Sequence, residues 1–351
     1  MTPLETDSGA GRARSNPDSL DELGTALETA RALLASTPGA SGAYLDLYVL
    51  CTDLLRQVEA RIGELDPDAA TTPDQLASLC ILLGPYRNLT TLTGSVLGLH
   101  PQCAVLNHAG GRILPNPRLN FLADYSSDRF AEFVRYAGFA ARGGARGMHG
   151  GDIRLSHAFD REAMREADAK LQGSRRGRIT CLVWKESQMV SNFLRDEHVD
   201  VARLLDANPR IRFLLPVRNP IDCAISNVRR GHVRLLADHH ELSPSSPLED
   251  VVGAVLDEIA IFVALRESSG RAERFFLYFE HEMGREVLER MLRFVDLPAD
   301  EAYLGAAAEA FKPDRAPDKD PRLFGPYADM VRRKFAGHPG IRDALLRFVP
   351  R

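Results

Sequence analysis

Lysine is scarce in this sequence: of 44 basic residues only five are lysine, at Lys170, Lys185, Lys312, Lys319 and Lys334. Codon usage is a sufficient cause, but the scarcity still draws attention to each of the five. A basic excess is missing too. The formal net charge is −4, which argues against a general nucleic-acid binder and means that any anion site must be local. Cysteine is sparse and unpatterned: Cys51, Cys80, Cys103, Cys181 and Cys223 are odd in number, widely spaced and free of any CxxC pair. They read as reduced core thiols. The first seventeen residues lack the apolar run of a secretion signal, and no window approaches the length of a membrane span. The expectation is a cytoplasmic protein with no membrane partner. No internal repeat is visible, and 351 residues suffice for one large α/β domain or two ordinary ones.

The chain is organised around Leu79–Pro101, LCILLGPYRNLTTLTGSVLGLHP. It reads as a buried strand (79–83), a turn opening at Gly84 and a helix beginning near Thr90. A strand that turns directly into a helix aims unpaired N–H groups and the positive end of the helix dipole into one small space, which suits phosphate. Arg87 adds a permanent charge with a fork of donors, and Thr90 and Thr91 add hydroxyls. The same stretch also fits an ordinary connection with a solvated arginine.

Taken in order, residues 1–17 read as a mobile tail rich in Gly, Ser, Pro and charge. Residues 18–74 hold two amphipathic helical patterns, an expected N-terminal helical cap. From 75 to 351 strands and helices alternate. A second strand covers Cys103–Leu106, followed by a helix over 127–141, a Gly/Arg-rich loop over 142–152 and a polar helix near 160–172. Strand 179–184, helix 188–205 and strand 212–217 come next, then a long apolar helix (249–265) and a strand (274–279). This alternation predicts βαβ crossovers and a parallel sheet. At the end of the 212–217 strand, Asn219 is placed as an N-cap, Pro220 as the first helical residue and Asp222 in the first turn as a structural carboxylate.

In open parallel sheets ligands collect at the carboxyl ends of the strands, so Arg87 and Arg218 should face one crevice and suit a ligand with two phosphate groups. Ser226 stands eight residues after Arg218, about two helical turns on and roughly on the same side. The nucleoside triphosphate loop GxxxxGK[ST], laid on Gly84, would need glycine and lysine where Leu89 and Thr90 stand. No GxGxxG follows a strand.

Gly84-Pro85-Tyr86-Arg87-Asn88-Leu89-Thr90-Thr91-Leu92 resembles the phosphosulfate loop of PAPS-dependent sulfotransferases. Val217-Arg218-Asn219-Pro220 through Ser226 resembles their 3′-phosphate motif. Trp184-Lys185-Glu186 and Leu277-Tyr278-Phe279-Glu280 also fit, and the likeness runs from about 79 to 298. The resemblance implies a P-loop-like three-layer α/β fold with a central parallel sheet flanked by helices. It further implies PAPS (3′-phosphoadenosine 5′-phosphosulfate) as co-substrate, no metal, and a small-molecule or carbohydrate acceptor. One departure stands out: Asn88-Leu89 replaces the usual Ser-Gly, and the leucine Cβ resists positive φ.

On this resemblance Arg87, Asn88, Leu89, Thr90 and Thr91 hold the 5′-phosphosulfate, and Arg218 with Ser226 the 3′-phosphate. Lys185 is either a second cation for the transferring group or the ion-pair partner of Glu186. Relatives carry a catalytic glutamate about eight residues after a His-Pro; here His108 occupies that offset from His100, and a histidine can do the same proton transfer. Glu186 is the next candidate base. His239-His240 fits a substrate lid better than a metal site. Three functions follow: a sulfotransferase, a catalytically degenerate nucleotide-binding protein of the same fold, or a small-molecule kinase.

Overall fold

The computed structural model describes residues 71–143, 150–171, 178–236, 239–313 and 319–350. The expected tail (1–17) and all but the last few residues of the expected helical cap (18–74) lie outside them.

The first strand, β1 (Ser78–Leu82), turns into α1 (Thr90–Gly98), which leads to β2 (Cys103–Asn107) and the single-turn α2 (Gly110–Ile113). Helix α3 (Ser127–Ala140) and the two-residue strand β3 (Gly151–Asp152) follow, then α4 (Glu162–Leu171) and β4 (Cys181–Lys185). Next come α5 (Gln188–Asp196), α6 (Val201–Ala207), β5 (Ile211–Val217), α7 (Pro220–Arg229), α8 (Val233–Leu236) and α9 (Leu248–Ser268). The chain continues through β6 (Phe275–Phe279), α10 (Arg285–Phe294), α11 (Glu301–Ala310), α12 (Phe324–Lys334) and α13 (Pro339–Leu346).

The six strands form one sheet in the order β3-β2-β4-β1-β5-β6. Every pairing is parallel except β2 with β3. Strand β1 at the centre is buried along its whole length, which is why its sequence is a continuous apolar run rather than an alternating one. Helices cover both faces. Neighbouring strand residues point to opposite faces, and Trp184 packs on Phe133 of α3 with ring centroids 5.2 Å apart. Lys185 points the other way, under α1, where a Cβ on Gly94 would meet Val105 at 3.4 Å and Lys185 at 3.5 Å. Three layers result, as expected from the sequence.

Two expectations are corrected. The single helix over 188–205 is two helices. Asp200 accepts a hydrogen bond from the Arg203 N–H at 2.9 Å and so starts α6 afresh, and His198 bends the chain between the two with φ 47°. The 142–152 loop is not loop throughout: Gly151 and Asp152 add an antiparallel edge to β2, and residues 144–149 lie outside the described residues. Among the described residues no helix is long and apolar enough to cross a membrane.

Candidate functional site

Gly84 begins the site because nothing larger fits there. Its φ is +103°, and an added Cβ would come within 2.2 Å of Leu215 on the neighbouring strand. Its N–H donates to Ser191 Oγ at 3.0 Å. Arg87 and Leu89 both take left-handed backbone, at φ 66° and 63°. The leucine thus adopts the conformation that its Cβ was expected to resist, at a cost of about 1–2 kcal/mol. Its side chain packs partly against the main core, which offsets that strain. Its carbonyl accepts from both the N–H and the hydroxyl of Thr93. Among the described residues, Thr93 N–H is the first amide of α1 with a backbone partner, so the start of the helix faces the cleft with donors to offer.

The Asn88 side chain serves the fold. It is fully buried, and its amide joins the two arginine turns: Nδ2 donates to Pro216 O, and Oδ1 accepts the Arg218 N–H at 2.9 Å. Its side chain positions the loop and is absent from the cleft wall. The arginines themselves meet. Arg218 Nη1 donates to Arg87 O at 3.2 Å, and Arg87 Nε donates to Ser226 Oγ at 2.9 Å. Two motifs 131 residues apart in sequence therefore form one cationic array at the carboxyl ends of β1 and β5.

The start of α7 follows its sequence. Asn219 Oδ1 accepts the Ile221 N–H at 3.0 Å, Pro220 opens the helix, and Asn219 N–H donates to Glu280. Asp222 is buried and paired with Lys319 at 3.0 Å, which supports its structural reading.

On the other side of β1, Lys185 ends β4 almost wholly buried. Burial pushes its ammonium down to about 8; the Glu186 charge works in the opposite direction, and the Arg87 charge adds a smaller downward push. The expected alternative, an ion pair with Glu186, does not form among the described residues. Lys185 Nζ instead lies 3.2 Å from His108 Nε2. Glu186 sits 3.7 Å from His108 Nδ1, and its other oxygen accepts the Gly110 N–H at the start of α2 at 2.7 Å. His108 is fixed through its backbone, donating to Lys185 O and accepting from the indole N–H of Trp184.

Arg87, Leu89, Thr90, Thr91, His108, Lys185, Glu186 and Arg218 line one cleft of about 560 Å³, and Ser226 stands behind Arg87. The cleft crosses the sheet from β2 through β4 and β1 to β5. Its wall also holds Asn107, His157, Arg161, His232 and Arg234, which the sequence reading did not single out. Asn107 was findable, since it closes β2 at the carboxyl edge. His157 and Arg161 come from the connection between β3 and α4, and His232 and Arg234 from the turn into α8 and from that helix, within the 232–247 segment expected to border the acceptor. Five arginine or lysine side chains against the single carboxylate of Glu186 make the cleft a strongly positive site in a net-negative chain. His239 and His240 are elsewhere, paired with Asp196 at 3.3 Å and Glu258 at 3.0 Å. Among the described residues no group of three metal-ligating side chains gathers.

No family model matches this sequence, and no curated protein matches it. Solved structures do. The chain is similar to the mouse sulfotransferase SULT7A1 complexed with PAP, at 10% identity over 80% of this chain and 90% of that one, TM-score 0.39. It is similar to STF9 from Mycobacterium avium, at 16% identity over 93% and 97%, TM-score 0.39. A third is STF1 from Mycobacterium tuberculosis, at 12% identity over 92% and 100%, TM-score 0.35. Each of the three is a sulfotransferase.

Proposed function

We propose that this chain is a PAPS-dependent sulfotransferase, moving the sulfuryl group to a hydroxyl or amine of a small molecule or carbohydrate and releasing 3′,5′-ADP. The observation that carries the reading is the Arg218–Arg87–Ser226 array, joined through Asn88, beside the open start of α1. That array offers two anion positions on neighbouring strands, as a nucleotide phosphorylated at both 3′ and 5′ requires.

In this reading Arg218 and Ser226 take the 3′-phosphate, and Arg87, Thr90, Thr91 and the first amides of α1 take the 5′-phosphosulfate. The acceptor oxygen attacks sulfur in line; the new S–O bond forms as the bond to the 5′-phosphate oxygen breaks. Negative charge grows on that leaving oxygen, where Lys185 and Arg87 offset it. The acceptor's proton goes to His108. Glu186 near Nδ1 favours a proton on that nitrogen and leaves the Nε2 lone pair available. In the free protein Nε2 faces Lys185 Nζ. An incoming phosphosulfate draws the ammonium toward itself and releases Nε2 for the acceptor.

Transfer of ³⁵S from labelled PAPS to an acceptor pool tests the activity. Thermal stabilisation by 3′,5′-ADP that ATP with magnesium does not match tests the nucleotide class and separates it from a kinase. Binding without transfer would identify a degenerate nucleotide-binding protein. Arg218→Ala with undiminished 3′,5′-ADP affinity would overturn the assignment of the site.

A further inference from the structure

Asn107 closes β2 and is paired in register with Lys185 of β4. Side chains at paired positions of a parallel sheet project to the same face, and Val105, two residues earlier, lies under α1 on that face. Asn107 therefore stands beside Lys185, next in sequence to His108, on the wall of the cleft. It is 5% exposed, and among the described residues its side chain makes no hydrogen bond; Oδ1 is buried without a partner. A primary amide in that state is unusual, because native folds rarely leave buried polar groups unmatched and do so mainly at functional sites.

We infer that Asn107 is the specificity-determining residue for the acceptor, and that the acceptor is polyhydroxylated, a sugar or polyol bearing a second hydroxyl beside the one that is sulfated. The inference rests on the sulfotransferase reading of the cleft. The reacting hydroxyl has one proton, and His108 takes it, so it has none to give to Asn107. An amide both donates and accepts, and a hydroxyl on the adjacent carbon matches it in both senses. A phenol or simple alcohol offers only its reacting oxygen, which can accept from the amide N–H but leaves Oδ1 unmatched, and an unmatched buried polar atom is the situation in which polar sites reject a substrate most strongly. The neighbouring wall fits the same class. The segment after β3, which borders β2, contributes Ser156, His157 and Arg161, a set suited to hydroxyl groups.

The test is a ³⁵S acceptor screen of monosaccharides, cyclitols and aminosugars against single-hydroxyl phenols and alcohols, on the full chain and on Asn107→Leu, with Asn107→Ser as a smaller variant should the leucine disturb folding. The expected result is preferential labelling of polyols by the wild type. Either variant should lose on the order of tenfold in kcat/KM toward the best polyol, with 3′,5′-ADP affinity by calorimetry unchanged. Preference for a single-hydroxyl acceptor, or unaltered polyol kinetics in both variants, overturns the role of Asn107 while leaving the nucleotide site standing. Absence of 3′,5′-ADP binding by the wild type overturns the sulfotransferase reading and this inference with it.

Discussion

Raising the pH should weaken nucleotide binding through Lys185. In an unfolded chain this lysine titrates at its ordinary value of 10.5, and in the folded cleft at about 8, because burial and the nearby Arg87 disfavour its charge. The native state therefore binds fewer protons than the unfolded one between those two values. Below pH 8 the fold carries the full cost of a buried cation, about 3 kcal/mol at 1.36 kcal/mol per unit, and stability from this group rises as pH climbs from 8 toward 10.5. At pH 7 the ammonium outnumbers the amine by about ten to one, so the cleft is charged and ready for an anion. A bound phosphate or phosphosulfate favours the ammonium and moves its titration back upward. Affinity for 3′,5′-ADP is accordingly expected to be flat below pH 8 and to fall by about tenfold per pH unit above it. Calorimetry from pH 6.5 to 9.5 reads this, and titrations near pH 8.5 in buffers of different ionisation enthalpy should show proton uptake on binding. Lys185→Met should bind more weakly at pH 7 and lose the dependence above 8. A wild-type affinity that stays constant from pH 7 to 9.5, or that changes in parallel with the methionine variant, would refute the argument.

Other outcomes follow from the geometry. Asn88→Ala should destabilise the protein by about 1–3 kcal/mol, since it leaves the Pro216 carbonyl and the Arg218 N–H unmatched in a fully buried place; chemical denaturation measures it, and 3′,5′-ADP affinity should fall as well. Gly84→Ala should cost about 2 kcal/mol or more, because it combines a positive φ with a contact on Leu215, and the thermal midpoint should drop accordingly. Ser226→Ala should weaken 3′,5′-ADP binding by roughly threefold to tenfold without unfolding the chain, the loss of one hydrogen bond at the Arg87 array. His108→Gln should abolish most transfer, by about 10²-fold or more, while nucleotide affinity by calorimetry stays near wild type.

Local chemistry made several parts of this protein legible in the sequence. The apolar run at 79–82, short and closed by a glycine turn, reads as a strand buried on both faces, which it is. Asn219-Pro220 was legible as a helix start, because an N-cap oxygen and a preset φ act within a few residues. The two arginine turns were likewise visible as cationic ends of neighbouring strands, and the alternation of elements led to the parallel sheet. Other features depended on contacts far apart in the chain. The side chain of Asn88 is a staple between two turns, since its partners at Pro216 and Arg218 lie some 130 residues away. Leu89 accepts a left-handed backbone because a core elsewhere receives its side chain. Lys185 was expected either to serve the transferring group or to pair with Glu186; the register of β4 beside β2 brought it to His108. Asn107 carried no motif, and its isolation in a cleft wall is visible only once β2, β4 and the segment after β3 are assembled. Sequence thus determined what each element is, through forces acting within a turn or two. Tertiary structure decided which polar groups are satisfied by the fold and which are left for a ligand, because that balance is struck between residues that meet only in space.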